Sequence, residues 1–344
     1  MRAVLESLVA LALGVLVGAA VMAAWGRDPW AAYAALFTGA LGNARALAST
    51  LSRALPLVLT GLTFAVGARA GLFNIGAQGQ MLLGAVVALS CGLFSLPAGL
   101  HLAVALALAG LAGALWALPV ALLKLGRGVN EVISTIMLNW IAHWLTLYLV
   151  VQKLSDRVVG QRTFTAPLGM RFPPLYGELT WSFLVSLGTA LFLFWFLWYH
   201  RQGYEVRAVG LNPKAARAAG ISVPRALLVA LLLGGVSAAW AGAIQVLGRF
   251  PYAITSDLAN LGTLGFDGIA VALIGRNHPL GILGGAFFFG VLATGAARMG
   301  LRGVPLEMIQ IVQGVIVVAM AAPEALRLLR RVPLPIRKKE EVAA

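Results

Sequence analysis

Three stretches of this chain carry polar residues able to do chemistry, and each interrupts an apolar run. The first, Gly-Leu-Phe-Asn-Ile-Gly-Ala-Gln-Gly-Gln at 71–80, sets Asn74, Gln78 and Gln80 beside Phe73. A side-chain amide both donates and accepts hydrogen bonds. In a helix, Asn74 and Gln78 lie four apart and share a face; the amides then either bond neighbouring helices or line a path for a polar solute. The second stretch, 262–279, is broken by Gly262, Gly265 and Gly268 and holds Phe266 and Asp267. A carboxylate at the centre of a lipid-embedded helix costs roughly 2.5–3.5 kcal/mol unless it finds a partner or water. Arg249, Arg276 or N–H groups freed by the glycine breaks could supply that partner. Asp267 is then either a cap at the break or a group that handles solute. Gln245, Gln310 and Gln313 are further polar positions of the same kind, and Phe73, Trp140 and Phe266 could stack on a planar ring or simply pack.

The third stretch, 200–225, is basic and polar between two apolar runs. Asn212 can cap a helix there, and Pro213 suits its first position, where a missing N–H costs nothing. Lys214 to Ala219 are good helix formers, and Gly220 supplies a left-handed stop. About seven residues at ~1.5 Å each make roughly 10 Å, too short to cross a bilayer. Such a helix is either an ordinary connection or a narrow surface, lined by Ala215, Ala216, Ala218 and Ala219, that fits a groove on another protein.

Enzyme chemistry has no footing. No GxxxxGK[ST] loop or HExxH pair occurs, His101, His143, His200 and His278 are scattered, and Cys91 is the single cysteine. The chain itself therefore calls for no metal, ATP or other cofactor.

What must position these stretches is a membrane bundle. The chain is 60% hydrophobic and 11% charged over 344 residues, against about 25% charged for a soluble domain. Long apolar runs without two-residue alternation predict helices rather than a barrel. Apolar runs fall near 8–24, 47–66, 81–94, 100–123, 129–151, 181–199, 226–247, 255–275, 281–297 and 305–321, giving eight to ten spans, the one at 255–275 interrupted. The first is long for a cleaved signal peptide and reads as an uncleaved span. Residues 25–45, with Trp25 and Trp30, suit an interface. Gly14/Gly18, Gly67/Gly71 and Gly281/Gly285 have the spacing of close helix contacts.

The net charge of +14 follows the positive-inside rule better than it fits a nucleic-acid surface. With both termini cytoplasmic, 16 of the 26 Lys and Arg lie inside. That places 200–225 and a basic tail, 326–344, in the cytoplasm, leaving 1–325 as the transmembrane domain. Spans two to five and seven to ten form two groups of four, which one intervening span would invert relative to each other, an arrangement of transporters with the solute path between the repeats.

Together, GLFNIGAQGQMLLGA at 71–85, RAVGLNPKAARAAGI at 207–221 and GFDGIAVALIGRNHPLG at 265–281 resemble the membrane permeases of ABC importers. The branch is the one with ribose, branched-chain amino acid and nucleoside systems, and the likeness is greatest to nucleoside or simple-sugar permeases. Their first motif typically reads FNIG-x-EGQ; Gln78 stands here where an acid is usual. The resemblance implies that 204–225 contains a coupling helix, with Asn212, Lys214, Ala215, Ala216, Arg217, Ala218, Ala219 and Gly220 docking on an ATP-binding subunit. Lys214 and Arg217 could pair with acids there.

It further implies a bacterial or archaeal inner-membrane protein whose ATP and Mg sit on partner subunits. A binding protein would deliver solute to 152–180 and 250–257 on the outer face, and a second permease, identical or related, would complete the pore. Asn74, Gln78, Gln80, Asp267, Phe73 and Phe266 are the expected solute path. The competing expectation is an ion-coupled secondary transporter of a small polar solute, and a branched-chain amino acid is the alternative cargo.

Overall fold

The computed structural model describes residues 2–97, 99–156 and 159–301, with 310, 311, 314, 315 and 318 beyond them. The run at 305–321 falls largely outside the described residues, and the tail at 326–344 wholly so. Apart from one small hairpin, β1 (Pro174–Tyr176) with β2 (Leu179–Thr180), the regular structure of the described residues is helical. Among the described residues, six helices are long and apolar enough to cross a bilayer: α3 (Ala44–Arg69), α5 (Leu100–Arg127), α6 (Glu131–Tyr148, continued to Lys153), α7 (Ser182–Tyr199), α10 (Val223–Leu247) and α12 (Pro279–Gly300). Three apolar helices are shorter: the described end of α1 (Arg2–Ala24), α4 (Ala77–Ser90, extended by a turn to Leu93) and α11 (Leu264–Ile274).

Helix α3 lies at the centre and is buried continuously from Ala54 to Gly67. Backbone carbonyls on its neighbours, and its own, are tied by short hydroxyl side chains. Thr63 donates to the Gly234 carbonyl (2.9 Å), Ser237 to Leu59 (2.7 Å) and Ser186 to Leu55 (3.1 Å). Each bond spares a helix–helix contact an unsatisfied hydroxyl in an apolar medium. A close helix approach joins Gly113 of α5 and Gly235 of α10. Their backbones touch, and a Cβ on either would collide with the other's carbonyl. This pair, rather than a GxxxG repeat, sets the crossing.

Two segments differ from the expectation. Residues 25–45, read as an interfacial stretch, contain helix α2 (Pro29–Leu41), which buries Ala32, Leu36, Gly39 and Ala40 and packs on α12. Asp28 caps it through the Trp30 N–H (2.9 Å). The 200–225 stretch holds two helices, α8 (Arg201–Leu211) and α9 (Pro213–Ala218), because His200 supplies an additional cap, accepting from the Gln202 N–H.

At the far end of α10 from α9, segments 152–180 and 247–257 are knit together. Thr163 N–H donates to the Ile254 carbonyl (2.9 Å), Ala166 N–H to Tyr252 (2.7 Å) and Phe172 N–H to Leu247 (3.0 Å). The Arg171 guanidinium lies 4.4 Å over the Tyr252 ring. The prolines at 167, 173 and 174 prevent a continuous helix here, and this cap, with one short 3-10 turn at Leu168–Met170, forms instead.

Candidate functional site

The polar island at 71–80 is a break followed by a helix start. Residues 72–75 are irregular, and α4 begins only at Ala77. Asn74 therefore lies before the helix, and the shared helical face expected for Asn74 and Gln78 does not exist. Asn74 instead accepts from the Gly76 N–H (2.9 Å). A polar stripe on α6 holds the break. Glu131 accepts from the Phe73 N–H (3.3 Å) and from Lys124 Nζ (2.7 Å). Asn139 accepts from the Gly79 N–H (2.9 Å) and donates to the Ile75 carbonyl (3.0 Å). Glu131 and Asn139 lie outside the three polar stretches; their eight-residue spacing, about two helical turns, is the signal that links them.

The interrupted run at 255–275 is helical only from Leu264. It descends from the cap as irregular chain and starts α11 opposite the start of α4. Gln78 joins the two starts. Its amide oxygen accepts from the Gly265 N–H (2.8 Å), and its amide nitrogen donates to the Gly262 carbonyl (2.8 Å). Gly265 has no room for a Cβ against Gln78. Thr60, midway along α3, donates to the Leu264 carbonyl (3.0 Å). Two half-length helices thus meet at their N-termini, each a partial positive charge, beside the middle of α3.

Asn74 Nδ2 and Gln80 Oε1 are buried here without hydrogen-bond partners among the described residues. Phe73 (47% exposed) and Phe266 (42%) stay open beside the junction. Trp140 lies on the outward face of α6, 6.0 Å from the His143 ring.

Asp267, one turn into α11, accepts from the Thr263 hydroxyl (3.3 Å). Arg249, one of its expected partners, instead reaches Glu178 at 3.9 Å, and Arg276 stands at the opposite end of α11. Asp267 and Arg249 do line one cavity of about 340 Å³, with Arg53, Gln245, Asn260 and Thr263 among its polar wall. A second recess of about 300 Å³ shares Arg53, Arg249 and Phe250 and adds Glu178. Burial, and then the neighbouring Arg53 guanidinium, push Arg249 down to about 10, against an upward pull from Glu178. Arg53 was not anticipated: it is a charge within a helix otherwise read as a span.

Helix α9 sits at the other end. Asn212 accepts from the Lys214 and Ala215 N–H groups (3.0 and 3.1 Å), Pro213 takes the first position, and Gly220 has φ +80. Lys214, Ala215, Arg217, Ala218, Ala219 and Gly220 are exposed. Ala216 is a correction to the expected docking set: it is only 5% exposed and packs into the core.

The helix pair is bolted to the bundle. Gly210 of α8 presses on the Arg69 carbonyl at the end of α3. Arg69 and Arg207 guanidiniums lie 5.2 and 5.4 Å from the Trp198 ring centroid, and Arg69 also donates to the Asn277 carbonyl (2.9 Å).

With this geometry the comparisons with known proteins agree. Residues 46–321 match the family described as "Branched-chain amino acid transport system / permease component". The chain is 37% identical over 330 residues to the guanosine ABC transporter permease protein NupP of Bacillus subtilis, covering 94% of each. It is 35% identical to the nucleoside ABC transporter permease protein NupB of Lactococcus lactis, covering 93% of this chain and 91% of that one. Identity is 34% to the glucose ABC transporter permease protein TsgB13 of Haloferax volcanii, over 93% and 87%. A multi-pass bundle with half-length helices suits any transporter; the matches decide for ABC permeases over ion-coupled secondary transporters, and the chain belongs to the branched-chain amino acid transport system permease family, as a membrane-embedded transport subunit.

Proposed function

We propose that the chain carries a nucleoside or simple sugar inward as half of a permease pair, driven by ATP hydrolysis on separate subunits that dock on α9. The names of the similar proteins (guanosine, nucleoside, glucose) support this cargo over a branched-chain amino acid.

In this reading the α9 end is cytoplasmic, both termini lie on that side, and the knit cap at 152–180 and 250–257 receives an external binding protein. ATP and Mg belong to the ATP-binding subunits, and the second permease is identical or related. Helices α4 and α11 would be corresponding members of two inverted four-helix groups. Their shortness, preceding breaks and meeting N-termini support that pairing. The solute would pass between them and the α3–α10 pair.

The observation that carries the reading is α9: a capped, exposed helix too short to span, anchored through α8 to the end of α3. Replacing exposed Ala218 with Trp enlarges that surface without entering the core. Uptake and solute-stimulated ATP hydrolysis by the assembled transporter should both fall to near background at unchanged membrane level of the protein. Normal uptake in that variant would sink the docking role of α9.

A further inference from the structure

We infer that the end of the bundle beside α9 binds an anionic phospholipid, whose phosphate bridges Arg69 and Arg207 around Trp198. Arg69 is the last residue of α3, Trp198 stands next to the end of α7, and Arg207 is on α8. Both guanidiniums lie on the one indole ring, 5.2 and 5.4 Å from its centroid. The ring attracts each cation, but the two cations repel each other. Among the described residues neither has a carboxylate partner; Glu205, the one acid on these three helices, is held by Arg201 at 3.1 Å. Arg207 donates no hydrogen bond among the described residues, and its Nε is buried. Arg69 uses Nε and Nη2 on the Asn277 and Arg276 carbonyls (2.9 and 3.3 Å), which leaves Nη1 without an acceptor. His278, 4.5 Å from the same ring, is held below its ordinary pKa by burial and then by the Arg69 charge, so it adds no third cation. An anion completes this cluster, and a phosphate diester offers the oxygens that guanidinium forks fit.

Two further observations make that anion a lipid. Helices α3 and α7 both span, so their ends lie at the bilayer surface. Trp195, Tyr199 and Tyr204 are 50%, 72% and 61% exposed around the cluster, the aromatic girdle that marks headgroup level. Below it, a track for hydrocarbon runs down α7. Leu184, Gly188, Leu191 and Trp195 are exposed at successive turns of one face, and Trp198 is the next place on that face. Gly188 lies ten residues from Trp198, about 15 Å of helix and the depth of one leaflet of a ~30 Å core. There an apolar crevice of about 420 Å³ opens between α5, α7 and α10, lined by Leu106, Gly188, Phe192 and Trp240 among others. Its polar atoms are already satisfied: Thr189 donates to the Val185 carbonyl (2.6 Å) and Trp240 to Leu106 (2.8 Å). The crevice therefore takes only hydrocarbon, an acyl chain whose phosphate sits one leaflet above. Bound so, the lipid ties α8, the carrier of α9, to the end of α3. Such a site needs only the spans, whichever side of the membrane α9 faces.

The test is native mass spectrometry of the full chain, and of the complete transporter, titrated in detergent with phosphatidylglycerol or zwitterionic phosphatidylcholine. Wild type should hold phosphatidylglycerol about tenfold more tightly, and added salt should erode that preference. Arg207→Gln should bring the two lipids level. Arg207→Lys keeps a point charge without the fork and should fall between. Arg225→Gln removes the same charge from an exposed position at the same end and should keep the preference. Gly188→Trp, with no atom in the way of a side chain, fills the crevice and should weaken both lipids alike.

Equal retention of the two lipids by wild type, or an undiminished preference in Arg207→Gln, overturns the site. An equal loss in Arg225→Gln does so too, since diffuse charge would then account for the binding. Displacement of phosphatidylglycerol by about millimolar inorganic phosphate would assign the cluster to a free anion. Its absence from the complete transporter, when the chain alone holds it, would assign the cluster to an acidic group of a partner subunit. Either result removes the lipid. Should Arg207→Gln fail to accumulate, Arg207→Lys and the salt dependence of wild type decide by the same comparison.

Discussion

At the scale of single residues, Gln78 matters most. A glutamate in its place could still accept from the Gly265 N–H and would gain from two facing helix N-termini, but it has no hydrogen to give the Gly262 carbonyl. Alanine would leave both backbone groups unsatisfied, at about 1–3 kcal/mol each. Thermal unfolding in detergent should therefore rank wild type above Gln78→Glu, and Gln78→Glu above Gln78→Ala, with uptake following the same order. An alanine variant as stable as wild type would deny the amide its joining role. The sequence marked this position as polar and unusual. It could not show that the amide serves backbone groups 184 and 187 residues away, because such pairing is a product of the fold.

Helix α9 was legible because its ends carry their own chemistry. Asn212, Pro213 and Gly220 made α9 readable, and its end atoms bond as those residue types require. Asn212→Ala should cost about 1 kcal/mol of local helix stability and lower coupled ATP hydrolysis more than solute affinity, measurable as a fall in maximal rate at near-constant KM. A change confined to KM would argue against that placement. The same Asx-Pro signature stands at Asp28–Pro29 and starts α2, yet the flanking tryptophans and Arg27 drew attention to an interface instead. Helix α8 was missed because only Gly203, Val206 and Val209 are buried, too few to show a period. Ala216 was misassigned for a related reason: in a six-residue alanine-rich helix, composition does not say which alanine turns inward.

For the molecule as a whole, apolar runs gave the bundle and its breaks, while burial depth and partner choice needed three dimensions. The long axis can be tested through the single cysteine. Cys91 is buried, so an impermeant thiol reagent reads introduced cysteines against a quiet background. Phe250→Cys, at a position 85% exposed on the cap, should label in intact cells. Lys214→Cys should label only after the membrane is opened. The reverse pattern would turn the molecule upside down and remove α9 from the reach of any cytoplasmic ATPase.

Gly235 lies twelve residues from either end of α10, where α10 meets Gly113 of α5 backbone to backbone. A stiff rod of roughly 36 Å, touched at its midpoint by α5 and at Gly242 by the Met81 carbonyl of α4, tilts only together with α4. Any tilt about that crossing would swing the end beside α9 one way and the end bearing Gln245 and Arg249 the other. Opening on one side of the bilayer would then coincide with closing on the opposite side, without a separate gate at each mouth.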